Sequence, residues 1–243
     1  MVLSVLPRTW CTTILVIVTC ISLEASGQKL SVPADSVLAA LLETNPDSFL
    51  RQLELRRAPA VNEQAKARIW RALPAEGRVM NLSDSDRAKI DALQPVLRLH
   101  NRDNVYDVLV IDVSNAFTGL HARAIVMISK HALQLLDKSE LQGAVAHEAG
   151  HEYFWGEFQQ ARRLKDVARL QELELYCDAI AILTLVRLGS DPAQYMSGIE
   201  KIIRWNREKL GAARNESDYP PVGDRQRFAK AIREWTHSSV PSR

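Results

Sequence analysis

The stretch Ser139-Glu140-Leu141-Gln142-Gly143-Ala144-Val145-Ala146-His147-Glu148-Ala149-Gly150-His151 decides how the rest of the chain is read. Residues four apart in an α-helix share one face, about one turn along, so His147 and His151 can turn two imidazole nitrogens toward a single zinc ion. Glu148 stands one step round, placed to face a water on the metal rather than the metal itself. A helix is supported independently. Ser139-x-x-Gln142 reads as a capping box, and Leu141, Ala144 and Val145 supply an apolar face behind the imidazoles. Two surface histidines on an amphipathic helix would give the same pattern, so the surroundings decide its weight.

Those surroundings supply a third ligand. A catalytic zinc needs three protein ligands and one open position, and an acid on a following helix can provide the third. Glu172-Leu173-Glu174-Leu175-Tyr176-Cys177-Asp178-Ala179 places Glu174 and Asp178 one turn apart on a strongly apolar helix, where unpartnered acids would be costly. The reading assigns Glu174 to zinc and Asp178 to the outer ring nitrogen of a ligand histidine, fixing its tautomer. Glu172 is the alternative ligand, and Cys177 reads as a small buried filler.

Upstream, the period changes. Val105, Val108, Val110, Ile111 and Val113 form a β-branched run and Ala124 to Ile128 a second, predicting two or three strands, with Asn115 to His121 and its Gly119 as a hairpin-like link. Before them, Val37, Leu38, Leu41, Leu42, Phe49, Leu50, Leu53, Ile69, Trp70 and Leu73 recur at helical spacing, predicting three or four short helices punctuated by Pro46, Pro59 and Pro74. Ser83 or Ser85 is placed to cap the helix that holds Ile90 and Leu93. After Ser129 the pattern is helical to the end, broken at Gly189 to Pro192 and Gly211 to Gly223. The expected fold is therefore α+β, mainly helical with a small β-sheet of two or three strands.

At the N-terminus a lone Arg8, an apolar run from Trp10 to Leu23 and the small residues Ala25, Ser26 and Gly27 follow the order of a secretory signal. The run is shorter than the roughly 20 residues a bilayer span needs. Lipid attachment at Cys20 would want a small residue where Thr19 stands. The expected organisation is a signal peptide at 1–27, a helical segment at 28–100 and a metallopeptidase core at 101–243, the last two forming one compact domain that is exported to the periplasm or secreted. Loss of Cys11 and Cys20 with the signal would leave Cys177 alone, unable to close an internal disulfide. With 243 residues, 47% hydrophobic and 25% charged, the chain can bury a real core. A net charge of +2, with basic residues interleaved among acidic ones, offers no stripe to track phosphates, so nucleic acid is not an expected partner.

His147-Glu148-x-x-His151 followed by Glu174-x-x-x-Asp178, with Asn115-Ala116-Phe117 upstream, resembles the gluzincin metallopeptidases that include HtpX and the CAAX prenyl proteases, metallopeptidase family forty-eight. The resemblance spans about Val105 to Ile232 and is closest to the exported, soluble branch. It implies one zinc per chain, a polypeptide substrate and endoproteolysis of unfolded or misassembled envelope proteins. The chain departs from the family in having Cys177 where an alanine is usual, and Tyr219-Pro220 where a His-Pro pair is usual. Arg225 matches the arginine that follows that pair. Glu148 is then the general base, with Tyr219 and Arg225 as helpers at the developing oxyanion. A substrate strand adds along Asn115 to Phe117 or Ala124 to Ile128. The alternative function is a zinc-binding, chaperone-like or latent protein of the same fold with little turnover. The remaining histidines, His100, His121, His131 and His237, read as surface or packing residues. Tyr153, Phe154 and Trp155 read as core on a continuing helix. The N-terminal helices carry no motif, and a cover over the active site is one use for them.

Overall fold

Asparagine, serine and proline set the rhythm of the first third of the chain. In the computed structural model, which describes residues 31–211 and 219–238, helices α1 (Val32–Leu42), α2 (Pro46–Arg56), α3 (Glu63–Ala72), α4 (Asp84–Asp91) and α5 (Gln94–Leu99) follow one another. The expected signal at 1–27, with Cys11 and Cys20, lies outside the described residues. Asn45 caps α2 by accepting the Ser48 N–H at 2.8 Å, Asn62 caps α3 through Ala65 at 2.8 Å, and Ser83 caps α4 through Asp86 at 3.1 Å. Five helices stand where three or four were expected, because Pro95 has no N–H to offer the carbonyl of Asp91 and the run divides there.

Three strands follow: β1 (Asp107–Ile111), β2 (Thr118–His121) and β3 (Ile125–Ser129), in the spatial order β1-β3-β2, with β3 parallel to β1 and antiparallel to β2. Gly119 thus lies within a strand. The tight turn is at Ala122 and Arg123, both left-handed at φ 48° and 58°, closed by the Ala124 N–H on the His121 carbonyl at 3.0 Å. The sequence run Thr118-Gly119-Leu120-His121 lacks the β-branched enrichment that announces a strand. On the far side, residues 77–79 run antiparallel to β1, with Val79 N–H on the Val110 carbonyl at 3.0 Å. This closes the β1 edge and leaves β2 as the outer strand.

The two faces of the sheet alternate as a pleat requires. Val110, Val126 and Ile128 join the main core, while Leu109, Ile111, Ile125 and Met127 pack with Phe117 against Ile69 and Trp70 of α3. Helix α3 therefore covers the sheet face turned away from the main core, and α1 lies on the helices that end the chain. Ala34, Val37, Leu41, Phe49 and Leu53 belong to the same buried cluster as the later helices.

Those are α6 (Lys130–Leu135), α7 (Lys138–Tyr153), α8 (Trp155–Leu164), α9 (Val167–Arg187), α10 (Ala193–Leu210) and α11 (Val222–Ser238). α7 is the centre of the molecule, buried on nearly every side and packed against α9, α10 and β2. Its capping box is Asp137–Glu140 rather than Ser139–Gln142: each side chain accepts the other's backbone N–H at 2.9 Å, and an anionic cap suits the helix N-terminus. Gly150 permits the crossing with α9, since a Cβ there would come within 3.1 Å of Cys177. The helix stops at Phe154, so Trp155 opens a new helix instead of continuing the old one. No helix among the described residues is long and apolar enough to cross a membrane. The architecture is α+β and mainly helical, with one small mixed sheet.

Candidate metal centre

α7 carries His147, Glu148 and His151 on the side that faces β2 and α9, and all three are buried. α9 brings Glu174 opposite them. The His147 Nε2 lies 3.2 Å from Glu174 Oε2, and the His151 Nε2 lies 3.9 Å from Glu174 Oε1. One donor from each of His147, His151 and Glu174 falls within 4.8 Å of the others. Among the described residues His147 Nε2, His151 Nε2, Glu174 Oε2 and Glu148 Oε2 are buried without a hydrogen-bond partner. Four buried polar atoms converging without partners would cost several kcal/mol in a purely structural site, at about 1–3 kcal/mol each.

Charge gives a second, independent reason. Glu148, Glu174 and Asp178 are three buried carboxyl groups, and Arg225 is the one buried guanidinium beside them, so the acids outnumber the permanent cations. A divalent cation fits that deficit, and two imidazoles with one carboxylate are a zinc-type donor set. Burial raises the Glu148 carboxyl to about 7 and lowers His151 to about 3. For His147, burial pulls down but the nearby Asp178 and Glu174 carboxylates win, lifting it to about 9. Burial opposes ionisation of Glu174 as well, yet His151 and His147 hold it below the usual carboxylate range.

Behind His147 the Asp178 carboxylate is fully engaged. Asp178 Oδ1 lies 3.0 Å from His147 Nδ1 and also accepts the Tyr195 hydroxyl. The Tyr195 oxygen lies 2.8 Å from the same ring nitrogen. Arg225, from α11, forks onto Asp178 with Nε at 2.8 Å and Nη2 at 2.6 Å, and Nη2 also reaches Tyr195 at 2.6 Å. Burial opposes the Asp178 charge, but Arg225 overrides it and holds the carboxyl well below its ordinary value. With Nε2 turned toward Glu174, this arrangement assigns the imidazole proton to Nδ1 and fixes the ring.

Arg225 is thus directed at Asp178 and Tyr195 and, fully buried, does not face the open side of Glu148, where an oxyanion helper would stand. Tyr219 differs. Its hydroxyl is buried and unpartnered among the described residues, and burial, followed by the charges of Glu174 and Glu148, keeps it protonated. Glu172 pairs with Arg169 at 2.8 Å and is no part of the cluster, while Cys177 packs against Gly150.

The expected substrate strands are not free. Ala116 gives its N–H to Asn206 Oδ1 at 2.7 Å and its carbonyl to Asn206 Nδ2 at 2.8 Å. Phe117 is bonded on both sides to Ser129 and buried against α3, and Asn115 precedes them half-buried. Ala124 to Ile128 forms the central strand. The strand beside the site is β2: Thr118 Oγ1 donates to Glu148 Oε1 at 3.2 Å, and the Leu120 backbone also hydrogen-bonds that carboxylate. Leu120, Glu148 and His151 then open onto a cleft whose other wall is α8, with Trp155, Phe158 and Arg162.

Sequence reasoning missed Tyr195, Thr118 and Trp155. Tyr195 sits on the apolar side of an amphipathic helix with no motif around it, and Thr118 lies in the strand that sequence pattern does not reveal. A helix break at Phe154 has no glycine or proline to mark it.

Residues 87–154 match the family model described as Peptidase family M48. The match runs from within α4 to the end of α7 and contains His147, Glu148 and His151. No curated protein matches the chain.

Proposed function

From the match of residues 87–154 to peptidase family M48 and the geometry of the site, we propose that the chain is a zinc-dependent endopeptidase of that family acting on unfolded or misassembled polypeptides outside the cytoplasm. Peptidases of that family are metal-dependent, which supports the reading. The observation that carries the finer reading is the convergence of unpartnered, buried His147 Nε2, His151 Nε2 and Glu174 Oε2 beside a carboxylate, Glu148, that is fastened through only one of its oxygens.

His147, His151 and Glu174 would hold the zinc, which when bound supplies an activated water and polarises the scissile carbonyl. Glu148 keeps its unpartnered Oε2 toward that space, with Thr118 and Leu120 steadying Oε1, and is placed to take the water's proton and pass it to the leaving amine. Tyr219 offers an O–H donor to the developing oxyanion. Asp178, Tyr195 and Arg225 orient His147. An extended peptide would lie along the outer edge of β2, above the cleft, which favours segments that are already unfolded. The place of action rests on the signal-like order of residues 1–27.

Cleavage of a permanently unfolded protein by the wild-type chain and by Glu148→Gln, with zinc measured in both, tests the reading. Cleavage by the wild type alone, with equal zinc in both proteins, is the expected result. Equal cleavage by both would remove Glu148 from the mechanism, and no cleavage by either zinc-loaded protein would favour a binding protein of this fold.

A further inference from the structure

Arg162 is out of place by the habits of this molecule. Arg102 and Arg123 meet Glu152, Arg225 meets Asp178, and Arg57 and Arg78, half-buried without a carboxylate, give their N–H groups to the Tyr153 hydroxyl and to backbone carbonyls. Arg162, in the last turn of α8, is half-buried yet has no carboxylate within ion-pair distance among the described residues. It lies instead on the face of Phe158, with the guanidinium carbon 5.8 Å from the ring centre. Glu157, the acid on its own helix, is engaged elsewhere, 3.1 Å from Arg56 and 3.9 Å from Arg169.

The position of this cation matters more than its solitude. Trp155, Phe158, Gln159 and Arg162 follow one another at helical spacing on one face of α8, and that face is the wall of the cleft that opens onto Glu148 and His151. The facing wall is Leu120 of β2. Phe158 in turn packs on the His151 ring at 4.6 Å, so the aromatic platform beneath the guanidinium is anchored to a residue of the metal centre. A planar guanidinium lying on a ring keeps its fork free and aimed, at lower ordering cost than a lysine would carry.

We propose that Arg162 is a specificity-determining residue that receives a carboxylate of the substrate in this cleft, the neighbouring part of the substrate packing on Trp155. The carboxylate comes from an acidic side chain close to the scissile bond or from the end of the substrate chain. The inference rests on the peptidase reading above only for the word substrate. The cleft, the platform and the unpaired cation stand without it.

Binding of short peptides to the zinc-loaded Glu148→Gln protein, followed by fluorescence anisotropy, separates the two sources. One arm compares glutamate with glutamine at each position of a peptide with an amidated end; the other compares free and amidated ends of a peptide without acids. The acidic member of one arm should bind about tenfold or more tightly, the scale of a charge-assisted, two-pronged bond. Arg162→Gln should abolish the preference, Arg162→Lys should keep part of it, and Arg162→Glu should transfer it to a peptide bearing lysine. Equal binding of all pairs, or a preference that survives in Arg162→Gln, would overturn the proposal. Cleavage of the same peptides by the wild type keeps the two readings apart. Turnover without acid preference sinks the carboxylate site and leaves the peptidase, whereas Arg162-dependent binding without turnover sinks the peptidase and leaves the site.

Discussion

His151 and Glu152 are neighbours on α7, both buried, and they belong to opposite kinds of polar cluster. Both oxygens of Glu152 are engaged: Arg102 Nε donates at 2.5 Å and Arg123 Nη2 at 3.1 Å, and the Tyr106 hydroxyl completes the shell. The same arginines reach the carbonyls of Ala58 and Pro59, which ties the link between α2 and α3 to the end of α7. Around His151, His147, Glu148 and Glu174, by contrast, donor atoms converge without partners and acids outnumber cations. A carboxylate met by two guanidiniums fastens the fold, and a cluster whose acids outnumber its cations is held ready for something the chain does not itself supply. Arg123 belongs to both sides of this comparison, since the strained turn it occupies also ends β2, the strand that steadies Glu148.

The largest effect should come from exchanging the two acids for their amides. Glu148→Gln should lower kcat/KM about 100- to 10,000-fold, the range of a lost general base, with zinc content and unfolding midpoint held or improved. Glu152→Gln should do the reverse, costing about 3–5 kcal/mol of stability because Arg102 and Arg123 lose their counter-charge. Denaturant titrations alongside the kinetics read both. If Glu152→Gln proved harmless to folding, the contrast between the clusters would collapse.

Asp178 stands between the two kinds, saturated itself but acting on a residue of the open site. Asp178→Asn should weaken zinc binding about 10- to 100-fold, measured by competition with a chromophoric chelator, as expected when the group that orients a ligand histidine is altered. Unchanged affinity would mean that Tyr195 alone suffices to fix the ring.

His100 sharpens the comparison from the side that fastens the fold. Its ring is enclosed between the Tyr153 hydroxyl at 2.9 Å and Thr184 Oγ1 at 3.0 Å, and burial, aided by Arg57, Arg102 and Arg187, lowers its pKa to about 3. The folded protein therefore refuses a proton that the unfolded chain accepts below about 6.5. Stability contributed by the neutral ring is full above that value and is lost as the pH falls toward 3, with a slope of at most about 1.4 kcal/mol per pH unit. His100→Gln should flatten the acid limb of a stability–pH curve recorded on the zinc-loaded protein. A limb of unchanged slope would assign it to other groups.

The helices of the metal centre were legible because their chemistry repeats at the helix period. His147, Glu148 and His151 occupy one turn, Glu174 and Asp178 another, and α7 and α9 bring them together as that spacing predicts. What sequence did not show is carried by contacts between distant segments. Tyr195 gains its place only because α10 crosses α7 where Gly143 leaves room, a Cβ there coming within 3.1 Å of Tyr195. Thr118 and Leu120 act through a short strand whose composition does not advertise one. Arg225 matched a family position, but only the packing of α11 reveals that it serves Asp178 and not the open side of the site. That β2 is the outer strand beside the site was not legible for the same reason, since which of three strands is outermost depends on pairing order and not on local pattern.

The measurement that tests the central claim most directly is zinc stoichiometry paired with thermal unfolding, before and after chelation, for the wild type and Glu174→Gln. The account predicts one zinc per wild-type chain and a clear fall in Tm when it is removed, because the buried donor atoms then lose their shared partner. Glu174→Gln should bind zinc far more weakly. A wild-type chain that takes up no zinc and whose Tm ignores chelation would contradict the reading of this cluster as a metal centre.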